Sequence, residues 1–116
     1  MKSVKMTNTE SRNSDLGYEV ERNAKWHYDK DIVDNGVEDK QIRKLIEEVH
    51  EVEEALQFGA DDIECMKEIG DVITVVINLC ERRGYTIEDC LKLTNDKLSK
   101  RTGKKVNGVF VKSEDL

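Results

Sequence analysis

Apolar residues recur at helical spacing along most of the chain, and no proline interrupts them. Residues 1–15 carry no apolar period and read as a flexible N-terminal tail ahead of a single domain over residues 16–116. The pattern predicts a first helix from about Leu16 to Tyr28 and a loop through Asn35-Gly36. A second helix is expected from about Glu38 to Gln57, stopped near Gly59, and a third, capped by Asp61 or Asp62, from about Ile63 to Arg83, stopped at Gly84. Thr86, with Asp89 three residues on, resembles a capping box that opens a fourth helix from about Ile87 to Lys100. From about residue 103 the character changes. Asn107-Gly108 between β-branched residues is the signature of a two-residue hairpin turn, so the expected fold is all-α, four-helix and bundle-like, with a C-terminal β-hairpin tail.

Two helices carry polar residues that the packing pattern does not explain. In the stretch KLIEEVHEVEEAL the apolar stripe is Ile42, Leu45, Val49, Val52 and Leu56, which predicts the packing face. Lys44, Glu48, Glu51 and Ala55 form a second line on its flank, whereas Glu47, His50 and Glu54 lie further round and Glu53 borders the other edge. The five glutamates of the stretch are therefore not equivalent. In the third helix, Asp71 and Asn78 interrupt a run that is otherwise apolar from Ile69 almost to Cys80, and they share a narrow line with Glu64, Glu68 and Arg82. An ionised carboxylate in such surroundings requires a partner, so Asp71 is expected to have one. Gly70 beside it is expected to admit a neighbouring helix.

Antiparallel packing of these helices across FGADD would bring Glu48 and Glu51 against Glu68 and Asp71. Four carboxylates in one cleft repel one another unless their protons are retained or divalent cations intervene. Oxygen-only ligands suit Mg2+, with Mn2+ as a possible substitute, better than zinc. Magnesium with a partial set of protein ligands takes substrate phosphates as well, which points to phosphoanhydride hydrolysis.

Composition narrows the classes. A formal net charge of -6 with 38% charged residues argues against a general nucleic-acid binder, so no polymer partner is expected. Cys65, Cys80 and Cys90 have no C-x-x-C spacing and read as packing thiols of a reducing, cytoplasmic compartment. No apolar run reaches the roughly 18 to 20 residues of a membrane span, and the N-terminus has no signal-peptide segment.

The ordered motifs resemble the MazG-like nucleoside triphosphate pyrophosphohydrolases. An E-E-x-x-E pattern stands at Glu47-Glu48-Val49-His50-Glu51, and sixteen intervening residues separate it from the E-x-x-D pattern at Glu68-Ile69-Gly70-Asp71. Trp26, QIRKL, EIGDVITVVINL with Asn78, and TNDKLSKR with Asn95, Lys97 and Arg101 follow in family order, and GKKVNGVFVK is similar to short phage-type members. The resemblance, over roughly residues 16–112, implies Mg2+-dependent cleavage between the α and β phosphates to give the monophosphate and pyrophosphate. It implies Glu48, Glu51, Glu68 and Asp71 as metal ligands, with Glu48 also catalytic and Glu47 assisting by orientation or proton transfer. Lys44, Lys97 and Arg101 are implied for the phosphate chain, Asn78 or Asn95 for sugar or base, and Trp26 for stacking on a base. A homodimer or homotetramer is implied too, with sites assembled between subunits.

Three rival readings compete with this one. Glu47 and His50 have the Glu-x-x-His spacing of di-iron bundles, but those sites need a second such motif, which the chain lacks. A non-catalytic helical module meeting a basic partner would explain the acidic line but not Asp71. A family member that only binds nucleotides would keep the ligands without the reaction. His27 and His50 are expected to be incidental, and Glu53 and Glu54 solvated.

Overall fold

The computed structural model describes the backbone of residues 9–116 and the side chains of residues 15–116. It contains four α-helices, α1 (Thr9–Asp29), α2 (Glu38–Gln57), α3 (Asp62–Arg83) and α4 (Ile87–Ser99), followed by strands β1 (Gly103–Val106) and β2 (Val109–Lys112). The fold is all-α with a short hairpin, as the periodicity predicts. The tail expected over residues 1–15 lies outside the described residues for positions 1–8, and α1 begins earlier than its apolar period. Once residues 16–29 have nucleated a helix, extension through a proline-free segment adds one hydrogen bond per residue fixed.

The chain forms two compact units, one up to Tyr85 and one from Thr86. In the first, α3 is the central element, packing along α2 and against α1. α2 and α3 run antiparallel. Arg83 at the end of α3 grips Glu38 at the start of α2 through Nε–Oε1 and Nη2–Oε2 bonds of 2.6 and 2.8 Å, and this pairing holds the Glu38 carboxyl below its ordinary range. At the other end, the Cys65 thiol reaches the carbonyls of Ala55 and Ala60 at 3.7 and 3.5 Å. The reversal between them is made by Gly59 at a φ of 77° and by Asp61, whose carboxylate accepts from Glu64 N–H at 2.8 Å. The buried apolar core is small: Ala24, Val33, Val75, Ile77 and Cys80.

Two packing expectations are corrected here. On α2 the side chains that turn inward are Gln41, Leu45, Glu48, Glu51, Val52 and Ala55, while Ile42, Val49 and Leu56 of the expected stripe stay exposed. The helix is rotated so that its carboxylate line, not the centre of its apolar stripe, faces α3. Gly70 admits no close neighbour within this chain, since an added Cβ would meet nothing within 4 Å; its carbonyl instead accepts from the Thr74 hydroxyl at 2.9 Å.

In the second unit, Thr86 caps α4 by accepting from Asp89 N–H at 3.0 Å. β1 and β2 pair antiparallel with Val106 opposite Val109, and the turn between them places Asn107 and Gly108 at φ of 52° and 82°, the geometry of a type I′ turn. Ser113 closes the hairpin, donating its N–H to the Thr102 carbonyl at 2.9 Å.

Candidate metal centre and adjoining cleft

Antiparallel packing sets the Glu48 and Glu51 pair of α2 against the Glu68 and Asp71 pair of α3. One carboxylate oxygen from each of the four lies within 4.8 Å of all the others. Glu48 is buried at 6% exposure, Glu51 and Glu68 are half-buried, and Asp71 is exposed. The sequence singles out Asp71 as the buried charge; the structure gives that position to Glu48, because α2 turns its acidic line inward.

The only cation seen pairing with these four carboxylates among the described residues is Lys44, whose Nζ lies 3.1 Å from Glu48 Oε1 and 3.7 Å from Glu47 Oε1. The bond to Glu48 pushes the Lys44 ammonium above its ordinary range. One lysine does not balance the cluster. Repulsion from Glu48, reinforced by burial, a hydrogen bond with Glu48 and the charge of Glu68, raises the Glu51 carboxyl above the usual 4.5. Oε2 of Glu48 and Oε2 of Glu68 are both buried without any hydrogen-bond partner. Unpartnered buried acceptors on ionisable groups are costly, and a hard divalent cation satisfies several oxygens at once. The residues therefore fit such an ion. The cluster contains no histidine, as the di-iron reading would require; His50 sits apart, on the exposed side of α2, 3.9 Å from Glu53.

An open cleft of about 400 Å3 adjoins the cluster, lined by Trp26, Ile32, Lys40, Gln41, Lys44, Glu48, Asp71, Thr74 and Val75. Trp26, Lys44, Glu48 and Asp71, each a candidate from sequence, thus meet in one place. Glu47 projects outward beside Lys44. Asn78 is 0% exposed, and its carboxamide is engaged by His27, Ile32 and Arg82 inside the protein. Asn95 and Lys97 are exposed on α4, and Arg101 is half-buried just beyond it, all three in the second unit.

Sequence reasoning gave Lys40, Gln41 and Thr74 no role, though spacing could have found them. Lys40 and Gln41 lie one turn before Lys44, and Thr74 one turn after Asp71, on the faces already assigned. His27, expected from sequence to be incidental, is 2% exposed and hydrogen-bonded through both ring nitrogens. Glu53 and Glu54 are exposed, as expected.

The first unit is thus all-helical, with paired Glu-x-x-Glu and Glu-x-x-Asp carboxylates that could hold a cation beside an open cleft. The MazG nucleotide pyrophosphohydrolase domain matches residues 38–106, more than half of the chain, and the protein belongs to that family. No curated protein and no solved structure matches it. The family match begins at the first residue of α2, so Trp26, His27 and Ile32 lie outside it. No helix among the described residues is long and apolar enough to cross a membrane.

Proposed function

We propose that this protein hydrolyses nucleoside triphosphates, either deoxynucleotides or non-canonical ones, between the α and β phosphates, releasing the monophosphate and pyrophosphate. In this reading Glu48, Glu51, Glu68 and Asp71 hold Mg2+, for which Mn2+ could substitute. The observation that carries it is the pair of buried, unpartnered oxygens on Glu48 and Glu68, within a four-carboxylate cluster that opens onto a cleft. When bound, the cation supplies positive charge to phosphate oxygens and acidifies a water molecule. The chain's own residues do the rest. Lys44, at the edge of the cluster, donates to the phosphate chain and offsets its charge in the transition state. Glu47, exposed beside it, orients Lys44 or receives the proton of the attacking water. Trp26, 47% exposed in the cleft wall, offers its face to a base.

A non-catalytic acidic module is the second reading. It gives no reason to bury Glu48, since a surface that meets a basic partner keeps its carboxylates in water. The exposed Ile42, Val49 and Leu56 of α2 and Ile69 and Ile73 of α3 support burial of these rows between copies in a homodimer or homotetramer.

Pyrophosphate release, measured over a panel of canonical and modified nucleoside triphosphates with Mg2+, tests the activity. Wild type is expected to release pyrophosphate, and Glu48→Ala and Asp71→Ala to lose it. Absence of release from every triphosphate, or full activity in both variants, would sink the proposal. Release of single phosphates would show that a different bond is cleaved.

A further inference from the structure

Behind the cleft wall lies a hydrogen-bonded chain that the carboxylate chemistry does not use. His27, in the last turn of α1, places Nε2 2.9 Å from the Thr74 carbonyl and Nδ1 3.2 Å from Asn78 Nδ2. A carbonyl only accepts, so Nε2 carries the hydrogen. The orientation of Asn78 is fixed independently. Arg82 Nε, which can only donate, lies 3.2 Å from Asn78 Oδ1, so the amide nitrogen is the group that faces both His27 Nδ1 and, at 3.1 Å, the Ile32 carbonyl. The Ile32 carbonyl accepts a second bond from Arg82 Nη2 at 3.1 Å. Every donor in this chain has an acceptor only while Nδ1 of His27 is bare.

What the chain holds is the cleft wall. Ile32 and Thr74 line the cleft, and their main-chain carbonyls are the anchor points. Trp26 lines it too, with its ring edge-on to that of His27 at a centroid separation of 5.0 Å and an interplanar angle of 77°. We propose that His27, as the neutral Nε2–H tautomer, is a positioning residue that fixes Trp26 and the Ile32 main chain as the wall of the substrate cleft. A proton on Nδ1 would set two donors face to face inside the protein and release the wall. The charged groups around His27 are Glu81, which favours the proton, and Arg82, which faces it through Asn78. Burial is the largest effect and holds the imidazole below its usual 6.5, against the Thr74 bond and Glu81.

The chain contains one tryptophan, so fluorescence excited at the red edge of the absorption band, where the three tyrosines do not absorb, reports Trp26 alone. The test follows acrylamide quenching of the full-length protein from pH 8 to pH 5, with the helical far-UV signal as a check on folding and histidine NMR to identify the titrating ring. Quenching is expected to stay flat at neutral pH and then rise in a one-proton step, below 6.5, that coincides with His27. His27→Gln supplies a non-titrating donor and acceptor; it should match wild type at pH 7.5 and lose the step. Asn78→Asp places a carboxylate beside Nδ1 and should move the step upward by on the order of one pH unit. A step that persists in His27→Gln, or a His27 titration that leaves Trp26 unchanged, overturns the proposal, and this arm remains decisive if Asn78→Asp does not fold.

A kinetic arm rests on the nucleotide reading above. His27→Ala should raise KM about tenfold with kcat nearly unchanged, the signature of lost uniform binding, and His27→Gln should restore KM. A fall in kcat at constant KM counts against a positioning role. Wild type without pyrophosphate release would refute the proposed function and leave the fluorescence outcome to decide this inference.

Discussion

Glu48 is the residue on which structure and chemistry pull in opposite directions. It is buried, one of its oxygens has no partner, and it is the leading cause of the raised Glu51 carboxyl. Among the described residues the cation that compensates it is Lys44, a half-exposed lysine in an i,i+4 pair of a kind worth about 0.3–0.5 kcal/mol on a helix surface. Glu48→Gln keeps the shape, removes the charge and relieves Glu51. The metal-free variant is therefore expected to melt at or above the wild-type temperature while pyrophosphate release falls at least about 100-fold, as for loss of a principal electrostatic group. Scanning calorimetry with chelator, alongside the release assay, reads both; a variant clearly less stable than wild type would show that Glu48 supports the fold and not a ligand. The pairing of Glu48 and Glu51 with Glu68 and Asp71 was legible from helical spacing alone. Which of the four is buried was not, because burial depends on the rotation of α2 about its own axis, and the wheel centred its apolar stripe inward. His27 was hidden for a related reason. Its partners, Thr74 and Asn78, are 47 and 51 residues away, and no local period predicts contacts at that range.

At the scale of elements the punctuation was readable, since each stop rests on local chemistry. Gly59, Asp61, Gly84, Thr86 and Asn107-Gly108 all adopt the cap or turn their residue types favour. Gly84 carries the C-terminus of α3 at a φ of 73°, and the carbonyl of Cys80 there accepts from both Gly84 and Tyr85 N–H. An added Cβ at Gly84 would meet no neighbour, so any cost of substitution is conformational and not steric. Gly84→Ala should therefore destabilise by about 1–2 kcal/mol, the cost of a left-handed conformation for an L-residue. Urea denaturation should show a lower midpoint with an unchanged m-value, and activity should persist under conditions where the variant is folded. A neutral result would mean that the end of α3 relaxes to another cap. The early start of α1 was less legible, because helix extension from a nucleated segment leaves no mark in the apolar pattern.

For the molecule as a whole, a cation held by the acidic cluster, as proposed, would couple binding, protonation and folding. A ligand that binds only the folded state at 100 times its Kd stabilises by about 2.7 kcal/mol, on the order of 10 °C for a chain of this size. Mg2+ is thus expected to raise the melting temperature, and Asp71→Asn to diminish the rise. The pH dependence separates this effect from His27. With its folded pKa lowered, His27 leaves the unfolded chain binding more protons below 6.5, so its contribution to stability declines as pH falls through that value toward the folded pKa. Glu51 has the opposite sign in the metal-free protein: its raised carboxyl favours the protonated folded state, so its contribution to stability grows as pH falls toward 4.5. Cation binding must displace that proton. The difference between melting temperatures with and without Mg2+ cancels the His27 contribution, which is common to both, and retains that of Glu51. This difference is expected to shrink steadily from pH 7.5 to pH 5, beginning at a higher pH than for a glutamate of ordinary acidity. Thermal melts over that range at fixed ionic strength provide the measurement; an increment that stays constant down to pH 5 would place the cation away from Glu51.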